Sequence, residues 1–463
     1  MTIVSATDFS RLPLPQAQLN HLSALGYRQM TPVQAQCLPL ALAGKDLIGQ
    51  AETGSGKTLA FALSILHKID ARKPLVQALV LCPTRELADQ VAKTIRRLAQ
   101  ATPNVKLTLV CGGKPFGPQK LALQHGTHIV VGTPGRVLDH LKKSTLRLTN
   151  LESLVLDEAD RMLDMGFLEA VSEIASFAPK NRQTLLFSAT YPDEIQAISR
   201  KLQRDPTRIS VESESVPANI EELFYEVQKH ERQKTLRALF EHYQPSAALV
   251  FCQTKKQCAI IAEFLCDNGI EATALHGDLE QRMRDQVLAL FANRSVAVLV
   301  ATDVAARGLD IESLPLVINY ELPRDGESYV HRIGRTGRAG ASGTALSLFT
   351  TAEQHRLRQI EDYLDQPCIC DVPASLDPAP QFELRGTMNT IRIDAGRKNK
   401  LRPGDLLGAL TKDAGLDGND IGKIDIFDFH TLVGIDRAVA KRALSYLETG
   451  KVKGRSVKAR RVS

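Results

Sequence analysis

The 463-residue chain has no tryptophan, and aromatic residues of all kinds make up only 5% of it. It also lacks any apolar run approaching the ~20 residues a helix needs to cross a bilayer, which argues against an integral helical membrane protein. The opening stretch MTIVSATDFSRLPL has no charged region followed by a long apolar segment. It reads poorly as a signal peptide, and a cytoplasmic location is the expectation. None of the eight cysteines falls in a CxxC pair, and the nearest two, Cys368 and Cys370, have no further ligand-type neighbours that would suit zinc. Free thiols in a reducing compartment follow.

What is present suits a globular protein of two or three domains: 43% hydrophobic and 24% charged residues over a length too great for one ordinary domain. The net charge of +6 is modest but unevenly spread. From Arg385 onward 17 Lys and Arg stand against 9 Asp and Glu, whereas the preceding 384 residues hold 41 against 43. A separate basic module can be a solubilising end or a phosphate-binding surface, and charge alone does not decide between them.

Short β-rich apolar runs alternate with helical patterns through the first two-thirds. ALVLC (78–82), LTLVC (107–111), HIVVG (128–132), SLVLD (153–157) and TLLFS (184–188) read as buried strands. The rhythm restarts with AALVF (247–251), ATALH (272–276), VAVLV (296–300), PLVIN (315–319) and TALSLF (344–349). Strands separated by helix-length segments predict two α/β units, each built on a parallel sheet covered on both faces. Between them DPTRISVESESVPANIEE (205–222) is polar and aperiodic, a linker. A second break falls at the proline-rich QPCICDVPASLDPAPQ (366–381). Beyond it the pattern is β-α-β-β-α-β, the ferredoxin-like order shared with RNA-recognition modules. The expected division is 1–210, a linker at 211–220, 221–366, a linker at 367–384, and a basic domain at 385–463.

AETGSGKT (51–58) follows a short apolar stretch and precedes a helical LAFALSILHKI, the setting a phosphate-binding loop requires. In the loop Thr53–Gly54–Ser55–Gly56, the glycines let backbone N–H groups curl around phosphate oxygens at a helix N-terminus. Lys57 can neutralise the β and γ phosphates, and the Thr58 hydroxyl can join a Mg²⁺ shell. DEAD (157–160) closes the apolar run SLVL, which puts its acids at a sheet edge. There Asp157 would hold Mg²⁺, usually through water, and Glu158 would orient and deprotonate an attacking water. Phosphoryl transfer also needs positive charge on its transition state, and HRIGRTGR (331–338) carries three arginines and a histidine among glycines. ATP and Mg²⁺ are the expected ligands.

GYRQMTPVQ (26–34), AETGSGKT, PTRELADQ (83–90), Gly112–Gly113, TPGR (133–136), DEAD, SAT (188–190), VFCQT (250–254), QRMRD (281–285), ATDVAARGLD (301–310) and HRIGRTGR occur in the order shown by the DEAD-box helicases. Over roughly residues 5–365 the chain resembles that family. The resemblance implies two tandem RecA-like domains and an RNA-dependent ATPase that unwinds short RNA duplexes locally as its domains close. It implies that Gln34 reads the adenine edge, with Phe9 and Tyr27 near the base and Asp310 on the ribose. Arg335 and Arg338 become arginine fingers, while Ser188 and Thr190 link the DEAD acids, especially Asp160, to His331 and closure. Thr84, Arg85, Gly112, Gly113, Thr133, Gly135 and Arg136 in the first domain, with Thr254, Arg282 and Thr302 in the second, match RNA-contacting positions. Hydroxyls, exposed backbone N–H groups and guanidinium forks suit sugar–phosphate contacts, so such a groove should be blind to base sequence.

The segment after Arg385 resembles the C-terminal domain of one bacterial branch of the family. That implies a small α+β RNA-recognition-like module directed at a large-subunit ribosomal RNA hairpin near the peptidyl-transferase centre, and work on pre-ribosomal particles during ribosome assembly, by a monomer. The third strand, in HTLVGID (430–436), carries no aromatic, with Phe429 only at its margin. Basic loops are therefore the better candidates for contact: Arg397, Lys398 and Lys400, and Lys451, Lys453 and Arg455. An ATP-dependent RNA clamp or scaffold that never separates strands would show the same motifs and stays open as an alternative.

Overall fold

A computed structural model describes residues 7–51, 54–211, 219–306, 314–337, 342–376 and 382–462. The chain divides into two compact units, with the break in sequence after position 214.

The first unit is built on a seven-stranded parallel sheet. Its strands are β1 (Leu47–Gln50), β2 (Ala78–Leu81), β3 (Leu107–Val110), β4 (Ile129–Gly132), β5 (Ser153–Leu156), β6 (Gln183–Ser188) and β7 (Thr207–Ser210), arranged in the order β3-β4-β2-β5-β6-β1-β7. Every residue of β2, β4, β5 and β6 is buried, as expected of strands covered on both faces. The helices cover them with narrow apolar faces. Arg85–Leu98, for example, buries Leu87, Ala88, Val91, Ala92, Ile95 and Leu98 at the three- and four-residue spacing of one helix side.

The second unit holds two sheets. One is parallel and seven-stranded: β8 (Ile220–Glu226), β9 (Ala248–Cys252), β10 (Ala272–Leu275), β11 (Val298–Thr302), β12 (Leu316–Asn319), β13 (Gly343–Phe349) and β14 (Cys370–Asp371), in the order β10-β11-β9-β12-β13-β8-β14. The other is antiparallel: β15 (Met388–Ile393), β16 (Ile421–Ile426), β17 (Thr431–Asp436) and β18 (Ala459–Arg461), in the order β16-β17-β15-β18. With a helical turn at Pro403–Gly408 after β15 and the helix Ala440–Thr449 after β17, this is the expected β-α-β-β-α-β arrangement. The fold is therefore two RecA-like sheets and a small C-terminal α+β domain.

The stretch 205–222 read as a linker supplies β7 and the start of β8, and the proline-rich break supplies β14. These strands lie at or beside sheet margins, where one paired neighbour suffices and polar residues are tolerated, so no buried run marks them. All eight cysteines are unpaired. Among the described residues no helix is long and apolar enough to cross a membrane.

The antiparallel sheet does not stand free of its neighbour within the second unit. Its core face carries Ile391, Ile393, Val433 and Ile435, so Thr390, Arg392, Leu432 and Gly434 alternate onto the other face. There the Thr390 hydroxyl meets Asn293 Nδ2 at 3.2 Å and Ser295 Oγ at 2.7 Å, and Met388 N donates to Arg294 O at 3.1 Å. Arg437 pairs with Glu271, whose carboxylate also accepts from Gly386 N at 2.9 Å. Thr390 is wholly buried and Asn293 and Leu432 are 3% and 2% exposed. A Cβ on Gly434 would lie 3.3 Å from Asn293 Cβ, so the glycine allows this close approach.

Candidate nucleotide pocket and nucleic-acid interface

Strand order divides the C-terminal edge of the first sheet into two halves. β5, β6 and β1 stand side by side, as do β3, β4 and β2. The loops that leave the first three carry DEAD, SAT and AETGSGKT. Those that leave the other three carry Gly112–Gly113, TPGR and PTRE. Phosphate chemistry and backbone-contact chemistry are thus sorted onto adjoining stretches of one sheet edge.

Gly54 and Gly56 adopt φ of +93° and +94°, the left-handed region that a side chain disfavours. Gly56 caps the helix Lys57–Lys68, whose first N–H groups consequently face the loop. A Cβ on Gly56 would also collide with the Gln34 amide. That amide is engaged at both ends: Oε1 accepts from Thr31 N at 3.0 Å, and Nε2 donates to Gly56 O at 3.0 Å. The Thr31 hydroxyl donates to Ser55 O at 2.8 Å, so the helix that starts after Thr31 is tied directly to the phosphate loop. Phe9 is a core residue at 4% exposure, and Tyr27 is half-buried beneath the Arg97 guanidinium, 6.0 Å away.

Lys57 is buried and donates to Ala51 O at 2.6 Å; Thr58, next in the helix, is half-buried. Burial pushes the Asp157 carboxyl up to about 7; Lys57 opposes the rise, and Glu158 and Asp160 add to it. A buried carboxylate this reluctant to ionise is one that a cation would stabilise, and the Asp157 carboxylate and Thr58 hydroxyl are hard-oxygen donors of the kind that suits Mg²⁺. Glu158 sits at φ +54°, a strained conformation for a non-glycine residue, and its Oε2 lies 3.0 Å from Arg161 Nη1. Both side chains are almost fully buried, and the pair is an ionic contact without a well-aligned hydrogen bond.

Asp160 joins DEAD to SAT. It accepts from Ala189 N at 2.8 Å, Thr190 N at 3.0 Å and Arg161 N at 2.9 Å, while its own N–H donates to Ser188 Oγ at 3.1 Å. Burial works to raise this carboxyl, but the backbone donors and Lys57 prevail and hold it below the usual range.

On the adjoining half Thr84 caps the helix Arg85–Leu98, its Oγ1 accepting from Leu87 N at 3.2 Å. Its own hydroxyl proton is left to donate outward. Gly113 has φ +72°, and Arg85 lies along Gly112, its Nη2 3.4 Å from where a Cβ would be. Thr133 and Gly135 begin the helix Pro134–Lys142, and Arg136 donates to Lys114 O at 2.8 Å with its guanidinium 5.9 Å from the Phe116 ring centre. In the second unit β9 and β11 are neighbours. Thr254 caps the next helix by accepting from Gln257 N at 3.2 Å, Thr302 ends β11, and Arg282 is exposed on the helix Gln281–Ala292. His331 is half-buried and Arg335 buried. Thr53, Asp310 and Arg338 lie outside the described residues.

The first arginine of HRIGRTGR has a different environment. Arg332, 1% exposed, forks onto Asp303 at 2.6 and 2.7 Å, donates to Asn319 Oδ1 at 3.0 Å and Glu321 O at 2.8 Å, and lies 5.0 Å over the Phe251 ring. It is a strut of the second sheet. Sequence reasoning also passed over Arg161 and Thr31, although both had signals: a three-residue helical spacing from Glu158, and the Thr-x-x-Gln capping pattern.

The six basic candidates of the C-terminal domain are all exposed, and strand register brings them together. Ile393 pairs with both Thr431 and Ala459, so the loop after β15, the β16–β17 hairpin and the entry to β18 share one end of the sheet. Lys453 binds Lys400 O at 3.1 Å and Asp405 at 3.0 Å, which ties two of these loops together.

Comparison with known proteins fits this architecture. Residues 31–198 match the DEAD/DEAH box helicase family, 231–340 the helicase conserved C-terminal domain, and 390–461 the DbpA RNA binding domain. The chain is 54% identical over 455 residues, 98% of its length, to the ATP-dependent RNA helicase DbpA of Escherichia coli, of which it covers 99%. The chain belongs to the DEAD-box RNA helicases. This DEAD-box helicase is also 44% identical over 371 residues to the DEAD-box ATP-dependent RNA helicase CshA of Bacillus cereus, a match covering 78% of the chain and 70% of that protein. Among solved structures, S. cerevisiae Dbp5 bound to RNA and ADP BeF3 superposes with a TM-score of 0.72 at 29% identity, covering 79% of this chain and 96% of that one. As a DEAD-box helicase it is an RNA-dependent ATPase, with RNA as its partner.

Proposed function

We propose that this helicase separates short RNA duplexes locally, by closing its two RecA-like domains on ATP and a single RNA strand. The observation that carries this reading is the sorting of the first sheet's edge, with Asp160 tying DEAD to SAT on the ATP side. Lys57 and the loop Thr53–Gly56 hold the phosphates, with Gln34, Phe9, Tyr27 and Asp310 around the base and ribose. Asp157 and Thr58 would hold Mg²⁺, which would offset phosphate charge when bound. Glu158 orients and deprotonates the attacking water, while Arg335 and Arg338 stabilise the transferred phosphoryl group. Ser188, Thr190 and Asp160 relay closure toward His331. Because ATP and RNA both favour the closed state, each strengthens binding of the other.

The contacts at Thr84, Arg85, Gly112, Gly113, Thr133, Gly135, Arg136, Thr254, Arg282 and Thr302 read sugar and phosphate, so target choice falls to the C-terminal domain at 385–463. Its basic charge and its match to the DbpA RNA binding domain support recognition of a large-subunit ribosomal RNA hairpin, by a cytoplasmic monomer acting on pre-ribosomal particles. ATPase rates measured with intact large-subunit ribosomal RNA, with a fragment containing that hairpin and with an unrelated RNA test the targeting. Equal stimulation by all three refutes it. A strand-displacement assay on a short duplex tests unwinding, and ATP-dependent retention of RNA without displacement would favour a clamp.

A further inference from the structure

In an RNA-recognition fold the open face of the sheet is the usual stacking surface for bases. Here that face is committed to protein. Thr390 and Gly434 lie on it and meet Asn293 and Ser295 of the same unit, and Leu432 on the same face is 2% exposed. Nucleic acid must therefore use another part of the module.

The loop end is the part left open, and it carries an aromatic. Phe429, at the tip of the β16–β17 hairpin, is 71% exposed, the highest exposure among the large hydrophobic residues described. The hairpin that presents it is well braced. Phe427 and His430 stack with ring centres 4.5 Å apart, Phe427 N donates to His430 O at 2.8 Å, and Arg397 N and Lys398 N donate to Phe427 O and Asp428 O at 2.8 and 2.9 Å. Gly396 is required there, because a Cβ would strike Phe427 O. The same backbone contacts place Arg397 and Lys398 beside the tip. The Arg397 side chain is 65% exposed and only loosely paired with Asp428, at 3.5 Å. An exposed ring on a rigid turn, flanked by cations, is the combination that stacks a base while phosphates are neutralised around it.

We propose that Phe429 is a stacking platform for an unpaired RNA base and that Arg397, Lys398 and Lys400 hold the adjoining phosphates. The ligand is a loop or bulge nucleotide, because a base within a duplex has no free face to offer. The assignment rests on the reading of residues 385–463 as the RNA-selecting domain.

The test uses the full-length chain and follows ATPase activity as a function of RNA concentration, with three probes: protein-free large-subunit ribosomal RNA, protein-containing large-subunit particles and polyuridylate. In Phe429→Ala the half-saturating concentration of ribosomal RNA should rise about 5- to 150-fold, the range for loss of one stacked base. The rate at saturation should stay unchanged, and Phe429→Trp should restore the affinity. Ribosomal RNA half-saturation that is the same in Phe429→Ala and the parent overturns the assignment. So does a deficit that Phe429→Trp fails to rescue, or one seen only with protein-containing ribosomal particles, which would mark a protein-docking residue. Failure of the underlying reading looks different: the parent chain itself would show no preference for ribosomal RNA over polyuridylate.

Discussion

Removing the Arg332 guanidinium should destabilise the second parallel sheet before it alters any chemistry. In Arg332→Met the aliphatic stem over Phe251 is kept, while four hydrogen bonds are lost: two to Asp303, one to Asn319 and one to Glu321 O. Asn319 is wholly buried, so its carbonyl would lose this donor far from water. Breaking a buried, hydrogen-bonded ion pair costs ~3–5 kcal/mol, most of it the penalty for partners left behind. For a domain of this size that corresponds to a melting shift of ~6–20 °C. The chain is multidomain and a single unfolding free energy is poorly defined, so a local probe is needed. Hydrogen exchange read by mass spectrometry fits: peptides covering β9 and β12 should lose protection, while those covering β2 and β5 should not. Nucleotide-loop function should survive at low temperature. If Arg332→Met leaves β9 and β12 protection within ~1 kcal/mol of the parent, the strut assignment is wrong and the residue is free for a direct role.

Glu158→Gln should keep the fold and reduce RNA-stimulated ATP hydrolysis by about 10²–10⁴-fold, the usual contribution of a general base; turnover at the parent rate in a phosphate-release assay would sink the base assignment. Gly56→Ala combines left-handed strain with a clash against Gln34, and equilibrium titration with a fluorescent ATP analogue should show strongly weakened binding. Deleting 382–463 should spare basal ATPase and remove the preference for ribosomal RNA, measured by comparing stimulation with an unrelated RNA. The Glu271 carboxyl has a pH signature. Burial would raise it, yet Arg437 and the Gly386 N–H hold it below its ordinary 4.5. A depressed folded value means stabilisation that is complete above the unfolded value and lost as pH falls through the folded one. Protection at the seam, with exchange rates normalised to the intrinsic amide rate at each pH, should therefore fall below about pH 4, and Glu271→Gln should lack that fall.

The parts of the fold legible in sequence were those whose burial is two-sided. Runs such as Ala78–Leu81 and Leu154–Leu156 are apolar at every position because helices cover both faces, and they stood out at once. β7 shows the opposite case: only Ile209 of Thr207–Ser210 is buried, so nothing separated it from a linker. In the site, motif residues were visible because phosphate chemistry tolerates few alternatives. Their tethers were harder to see. That Gln34 is tied to the phosphate loop, or that Arg332 is a strut of the second sheet, depends on partners far away in sequence. Gly434 could have exposed the seam, since an isolated glycine in a strand signals close approach by other backbone.

The seam also constrains how selectivity can act. It lies wholly within the second unit, so on the proposed reading RNA bound by the C-terminal domain would be tethered to that unit. A contact of equal strength before and after closure cannot shift the closure equilibrium, however tight it is. What it can do is raise the local concentration of adjoining RNA at the groove, reaching ~millimolar values over short tethers. Selectivity should then appear as a lower half-saturating RNA concentration rather than a higher rate at saturation. On the proposed reading the groove and the C-terminal module do not compete for the same binding energy: one would drive closure, and the other would decide which RNA is present when closure occurs.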